Sequence, residues 1–348
     1  MGIKDLNTYL KKEEIDCFFT LPLFNFAEQR FAIDGLNWIF TYLNSAYRRI
    51  YDSCDDPLRL VMQDELLQEM IKEFLIFNNK LMNYKITPVW IWDGVSKDNK
   101  TATKMERKNS KKPLIEQRDK LREELLEKNV LERDTDLLEK YKKLVLNTAW
   151  LSRENIDKIK EISLEIGLPT IIADDEAENL ASSLAVQRKV SAVWSSDTDT
   201  YPLGAPLVVK GFENIRGTLH IRGIYTLRML EELEMNHDEF RDFCILLGTD
   251  FSTRLDRVGP AKSRILIDKY CNLEQVEDNT KHNLTFMNYK EVRKQLTPYI
   301  TDYVCKDFQV KKDIEEEKLI KILNCREMSL FFNNIIDLPE SKPVPKNN

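Results

Sequence analysis

Histidine is scarce in this chain, at three of 348 residues, and the six cysteines (Cys17, Cys54, Cys244, Cys271, Cys305 and Cys325) are scattered with no Cys-x-x-Cys pair. That spacing offers no zinc site and no redox dithiol, so the thiols are expected to be reduced and individually buried, and any metal has to be held by oxygen. No apolar run approaches the roughly 18 residues that cross a bilayer. The opening Met1-Gly2-Ile3-Lys4-Asp5-Leu6 lacks the apolar core and small-residue cleavage site of a secretory signal, and Leu6 stands where a myristoylated terminus needs Ser or Thr. A soluble intracellular protein without a membrane partner is expected, with nucleus and cytoplasm not distinguished. Positive charge is also not in excess: the formal charge is −6, whereas a nucleic-acid binder usually shows a basic footprint.

Net charge averages over faces, and its distribution says more. From Gly94 to Lys112 seven basic residues (Lys97, Lys100, Lys104, Arg107, Lys108, Lys111, Lys112) stand against Asp98 and Glu106, and from Arg254 to Lys269 there are five basic residues against two acidic ones. The chain is acidic overall and basic in two places.

Apolar runs ending in acids recur along it. Phe31-Ala32-Ile33-Asp34 reads as a buried strand that leads into a helix through Trp38, Ile39, Leu43 and Tyr47. A second amphipathic helix is expected from Val61 to Tyr84, then a strand from Pro88 to Asp93 closed by Gly94. Residues 95–165 are rich in Lys, Glu, Arg and Leu, the composition of long solvated helices. The strand pattern resumes at Pro169–Ala173, with an acidic helix start over Asp174–Glu178, and again at Val190–Trp194, followed by Asp197-Thr198-Asp199. A helix, Gly-Thr-Asp, turn and helix occupy 236–270. This alternation predicts an α/β fold with a mainly parallel sheet flanked by helices.

Acids therefore stand at four strand or helix-entry positions: Asp34, Asp93, the Glu176/Glu178 pair and the Asp197/Asp199 pair. A fifth position, Asp250, follows Leu246-Leu247-Gly248. The carboxyl ends of parallel strands line one crevice, where ligands bind. Any single Asp after a strand is more often a turn former or helix cap, and Glu176 and Glu178 would also suit a helix dipole. Five such positions together are hard to obtain by capping alone. Carboxylates packed there repel unless a cation sits among them, and oxygen-only ligands suit Mg²⁺ or Mn²⁺. Two such ions about 4 Å apart can activate a water and stabilise the leaving oxygen of a phosphodiester.

At these residues the sequence resembles the flap endonuclease family, the XPG-type structure-specific 5′-nucleases. MGIKDL resembles that family's start, where Gly2 lies close to the active site. FAIDGLNWIF and PVWIWDG resemble its first two acidic motifs, ADDEAENLASSLA its paired-glutamate helix, and SSDTD its paired-aspartate strand end. FCILLGTDFSTRLDRVGPAKSRILI is similar to its last acidic motif running into a helix–two-turn–helix DNA-binding element. The resemblance covers roughly residues 1–270, with a weaker echo at Glu315–Phe332. It implies a PIN-like 5′-nuclease fold with a helical arch at 95–165. It also implies a first metal held by Asp34, Asp93, Glu176 and Glu178, and a second completed by Asp197, Asp199 and Asp250. Lys100 and Arg107 fall where the family places two phosphate-contacting cations; seven residues apart, they share a helix face. Phe40 stands where the family has a stacking Tyr, with a core aromatic as the alternative. Val258-Gly259-Pro260 would grip the duplex backbone with Lys262 and Arg264 near phosphates and a K⁺ on the turn carbonyls.

Departures accompany the match. Arg257 replaces a family glycine in that turn, and the arch is longer than in cellular members. Cys325 stands where a sliding-clamp peptide has Gln, so Glu315–Phe332 is expected to be a core helix rather than a clamp motif. These departures suit a viral or otherwise divergent member. The resulting expectation is one nuclease domain over 1–340 (1–94, arch 95–165, 166–235, helix–two-turn–helix 236–275, helical part 276–340) with a disordered tail at 341–348. Its expected activity is that of a monomeric 5′-flap endonuclease or 5′–3′ exonuclease acting on DNA flaps and nicks, bound through salt-sensitive, sequence-independent phosphate contacts. A catalytically inactive nuclease-like scaffold is the alternative.

Overall fold

Alternate side chains of the apolar runs go to opposite faces of one sheet, and both faces are covered. The computed structural model describes residues 2–94, 101–127 and 134–311 together with Phe331 and Asn334; side chains at 101–110, 305 and 306 lie outside that description. Lys100, the segment Glu315–Phe332 apart from Phe331, and the tail at 341–348 lie outside the described residues, and for Arg107 only the backbone is described.

In chain order the elements are α1 (Leu6–Lys12), β1 (Phe18–Pro22), β2 (Arg30–Asp34), α2 (Gly35–Asp52), α3 (Gln63–Met82), β3 (Thr87–Trp92), α4 (Thr101–Glu127), α5 (Thr135–Asn147), α6 (Arg153–Glu165), β4 (Thr170–Ile172) and α7 (Ala177–Val186). They continue with β5 (Ala192–Trp194), β6 (Leu207–Ile215), β7 (Thr218–Tyr225), α8 (Thr226–Glu232), α9 (His237–Leu247), α10 (Pro260–Tyr270), α11 (Leu273–Asn279) and α12 (Tyr289–Gln295). The seven strands form one sheet in the order β1-β7-β6-β5-β2-β3-β4. β6, β5, β2, β3 and β4 run parallel, while β7 returns antiparallel to both β6 and β1. The sheet is thus mixed and mainly parallel, and the carboxyl ends of β2, β3, β4 and β5 share one edge.

The period of two is plain in β2 and β3. Phe31, Ile33, Trp90 and Trp92 enter a core with α2, α3, α5 and α6, whereas Ala32, Val89 and Ile91 enter a second core with α1, α7, α9 and α10. In the first core Trp38 meets Trp90 edge-on, ring centroids 5.3 Å apart. Trp90 Nε1 donates to Asn78 Oδ1 at 2.9 Å, and Asn78 Nδ2 donates to the Phe74 carbonyl at 2.7 Å. Asn78 is fully buried, so it fastens α3 to the strand that carries Asp93. Asn78→Ala leaves the indole N–H buried without its acceptor and opens a small void, which is expected to cost about 3 kcal/mol. A denaturant midpoint unchanged from the parent would contradict that role.

Three expectations need correction. The 95–165 stretch is not simply solvated: Leu125 near the end of α4 is fully buried in the first core, as are Tyr141 and Ile159, because α5 and α6 carry an apolar stripe beneath their many charges. The thiols are not all buried, since Cys271, the C-cap of α10 at φ +65°, is exposed and Cys54 is only partly covered. No strand is expected after Val190–Trp194, yet residues 207–225 form the β6–β7 hairpin closed by Arg216-Gly217, both at positive φ. Of the segment ending at Phe332, Phe331 is buried in the first core, and Asn334 just beyond it donates to Asn79 at 3.0 Å.

Candidate metal centre and nucleic-acid interface

Asp34, Asp93 and Asp197 each also accept from a backbone N–H at a helix start, so for these three the capping reading and the ligand reading describe the same side chains. Asp34 ends β2 and starts α2. Its Oδ1 accepts from Asn37 N at 3.0 Å while its Oδ2 accepts from Ser195 Oγ at 3.2 Å. Asp93 Oδ1 accepts from Ala177 N at 2.8 Å, drawing the first turn of α7 toward the end of β3. Asp197, just after β5, accepts from Asp199 N at 3.3 Å. A carboxylate has about four lone-pair sites, so a single capping bond leaves room for a cation.

Carboxylate oxygens of Glu178, Asp197 and Asp199 lie within 4.8 Å of one another, and these residues are 8%, 5% and 1% exposed. Charges that close and that dry are unfavourable alone, and the donor set is all oxygen. The trio therefore fits a hard divalent cation. Glu176 and Glu178 from the start of α7, with Asp199, also line a cleft of about 370 Å³ whose other walls include Asp174, Asp175, Phe251 and Tyr299. Asp250 is half-buried in the turn after α9, beside the cleft residue Phe251.

Burial, reinforced by the charges of Asp93 and Asp197, pushes the Asp34 carboxyl up to about 7, against the lowering effect of its bond to Asn37 N. Those three acids are therefore electrostatic neighbours. The metal-free folded protein holds a proton on Asp34 that the unfolded chain, titrating near 3.8, has released. This group's contribution is thus fully present below about 4 and lost as pH rises through about 7. A divalent cation held beside Asp34 would displace that proton. The melting-temperature gain from Mg²⁺ over EDTA is accordingly expected to be larger at pH 8 than at pH 6, read by scanning fluorimetry; equal gains at both values would break the link.

Gly2 sits against Asp197 and Asp199 at φ +84°, where an added Cβ would stand 2.1 Å from Asp197 Oδ1 and 2.8 Å from Asp199 Oδ1. Ile3 N donates to Thr198 Oγ1 at 2.7 Å and Lys4 N to the Gly248 carbonyl at 3.1 Å, which fixes the N-terminal segment there.

Several supporting residues carried no signal in the one-dimensional pattern. Ser195 links Asp34 to Asp197, donating to the first and accepting from the backbone N–H of the second at 3.1 Å. Asn37 Oδ1 accepts from both Ser196 N and Ser196 Oγ, at 2.8 and 2.9 Å. Lys210 Nζ reaches the carbonyls of Ser196 and Asp197 at 2.9 and 3.3 Å. Burial pushes this amine down to about 7, although Asp197 and Asp199 pull it upward.

The remaining expected residues lie apart from the trio. Phe40 on α2 is 52% exposed, so it is not a core aromatic. Gly259 is the N-cap of α10, with Pro260 at its first position. Lys262 Nζ donates to the Arg257 carbonyl at 3.1 Å, and Arg264 Nε pairs with both oxygens of Asp268 at 2.7 and 2.8 Å. Among the described residues no helix is long and apolar enough to cross a membrane.

Residues 1–113 match the XPG N-terminal domain and residues 167–250 the XPG I-region. The chain is 30% identical to flap endonuclease 1 of Entamoeba histolytica over 331 residues, 93% of this chain and 82% of that protein. It is 29% identical to flap endonuclease 1 of Theileria parva over 307 residues, and there it spans 58% of the relative's length. Among solved structures, flap endonuclease-1 from Methanococcus jannaschii superposes with a TM-score of 0.63 at 22% identity, covering 92% of this chain and 97% of that one. The catalytic core of Rad2 in complex with DNA substrate superposes with a TM-score of 0.60 at 17% identity, over 97% and 99% of the two chains.

Proposed function

This chain belongs to the XPG-type flap endonuclease family, and from that premise we propose that it hydrolyses DNA phosphodiesters as a metal-dependent, structure-specific 5′ nuclease acting at flaps and nicks. The observation that carries the reading is the buried trio Glu178, Asp197 and Asp199, its carboxylate oxygens within 4.8 Å of one another at the carboxyl edge of a parallel sheet. A family member that only binds has no use for so costly a cluster, which argues against the inactive-scaffold alternative.

In this reading Asp34, Asp93, Glu176 and Glu178 hold one Mg²⁺ and Asp197, Asp199 and Asp250 a second, with Mn²⁺ able to substitute. Cations so held supply the Lewis acidity that activates water and offsets charge on the phosphate. The chain's own groups do the rest. Ser195 and Asn37 keep the β2 and β5 ends in register, so the carboxylates of Asp34 and Asp197 stay aimed at the same point. Lys100 and Arg107, at the start of the arch, withdraw charge from the scissile phosphate. Phe40 offers a ring for stacking on the base next to the cut. Gly259 and Arg264 meet the duplex backbone, with Lys262 holding that turn through the Arg257 carbonyl, and residues 1–340 act as one nuclease unit, as a monomer.

An end-labelled 5′-flap duplex, incubated with Mg²⁺ or with EDTA, tests this. Magnesium-dependent incision near the junction is expected, and parallel nicked and bubble substrates rank the preference. Tight flap binding without cleavage in either Mg²⁺ or Mn²⁺ would transfer the case to the scaffold alternative.

A further inference from the structure

The turn between α9 and α10 presents two consecutive backbone carbonyls, those of Arg257 and Val258, and the chain itself brings a cation to each. Lys262 Nζ donates to the Arg257 carbonyl at 3.1 Å and Arg254 Nε to the Val258 carbonyl at 3.0 Å. Arg254 is not loose: its Nη1 also pairs with Asp5 Oδ2 at 2.8 Å, and its side chain is 30% exposed. Asp5 precedes α1 at φ +58°, two residues after Ile3, whose N–H is bonded to Thr198 beside the acidic trio. The same guanidinium thus ties the turn to the N-terminal segment. Arg257 itself is held at φ +58° with its side chain pointing to solvent, 89% exposed, so it contributes no cation to the carbonyls.

A monovalent ion such as K⁺ is held by carbonyl oxygens that converge on it and have no other cationic partner. On this turn both oxygens are engaged by fixed positive charges, and an added K⁺ would stand beside an ammonium and a guanidinium. The turn does not fit the ion. We infer that Lys262 and Arg254 replace a bound K⁺, so that this chain's grip on duplex DNA is indifferent to which monovalent cation is present. The inference rests on the reading that this turn meets the duplex backbone. Lys262 is then a positioning residue, acting through the Arg257 carbonyl.

Fluorescence anisotropy with a labelled nicked duplex tests it, using the full chain in EDTA at about 0.1 M ionic strength to limit screening differences. Chloride salts of K⁺, Na⁺ and tetramethylammonium are compared. The parent Kd is expected to agree within about twofold across the three, while Lys262→Met weakens binding about fivefold in tetramethylammonium, the size of one ordinary net hydrogen bond, and recovers in K⁺. A DNA-free arm is thermal melting in the same salts. The parent should show no K⁺-specific gain, and Lys262→Met should acquire one. Parent affinity that falls fivefold when tetramethylammonium replaces K⁺ would overturn the inference, as would a K⁺-specific melting gain in the parent. Weakening in Lys262→Met that K⁺ does not relieve would also overturn it, leaving Lys262 a plain phosphate contact. Absence of duplex binding in every salt would instead sink the DNA reading of this turn, and the melting arm would still decide the cation question.

Discussion

Asp197→Asn is expected to abolish magnesium-dependent cleavage, by at least about 10³-fold in kcat, while flap affinity stays near that of the parent. The amide is isosteric, and its remaining oxygen can keep the bond to Asp199 N at 3.3 Å, so the turn after β5 persists. What changes is charge. One negative group leaves a buried trio whose oxygens lie within 4.8 Å, and the amide N–H₂ faces the carboxylates that remain. A cation loses a ligand and a unit of attraction together. Duplex grip and stacking are assigned to α10 and Phe40, away from this edge, so binding should survive.

The same substitution has an opposite and independent signature. Without metal, the parent carries repulsion among Glu178, Asp197 and Asp199, and Asp197 is one of the charges that raise the Asp34 carboxyl. Asp197→Asn should therefore raise the melting temperature in EDTA and erase most of the Mg²⁺-induced gain. A folded variant with near-normal turnover would sink the metal assignment. A variant less stable than the parent in EDTA would show instead that Asp197 serves mainly as a structural cap.

Why the acids were legible in the sequence, and their supports were not, has a physical cause. Asp34, Asp93 and Asp197 each end an apolar run, so strand polarity alone carries them to one edge of a parallel sheet. Ser195, Asn37 and Lys210 act through bonds that close only when β2, β5 and β6 are side by side; Ser195 reaches across 161 positions to Asp34. No local period marks such residues. The β6–β7 hairpin escaped notice because its turn is Arg216-Gly217 rather than an Asn-Gly or Asp-Gly pair, although both residues take the positive φ that such turns demand. In α5 and α6 the lysines and glutamates mask a stripe in which Tyr141 and Ile159 are wholly buried. In the turn before α10 the bases take partners that no local pattern announces: Arg264 pairs with Asp268 and Lys262 with the Arg257 carbonyl. Charge in sequence says nothing of which partner takes it.

Gly2→Ala is expected to lower kcat about 10²-fold while leaving flap affinity nearly intact, because it strikes at the geometry of the trio rather than its charge. At φ +84° any L side chain is strained, and here the new methyl would stand 2.1 Å from Asp197 Oδ1, 2.7 Å from Thr198 Oγ1 and 2.8 Å from Asp199 Oδ1. The segment cannot simply slide away, since Ile3 N is bonded to Thr198 and Lys4 N to the Gly248 carbonyl. Either the carboxylates rotate off their common point or the N-terminal anchor breaks. Gly217→Ala separates the two components of the effect. Gly217 has nearly the same backbone, φ +82°, but nothing lies within 4 Å of its added Cβ. That variant should lose about 1 kcal/mol of stability from the left-handed backbone alone and keep full turnover. If Gly2→Ala matches Gly217→Ala in both turnover and stability, the close approach of residue 2 to Asp197 and Asp199 has no part in catalysis.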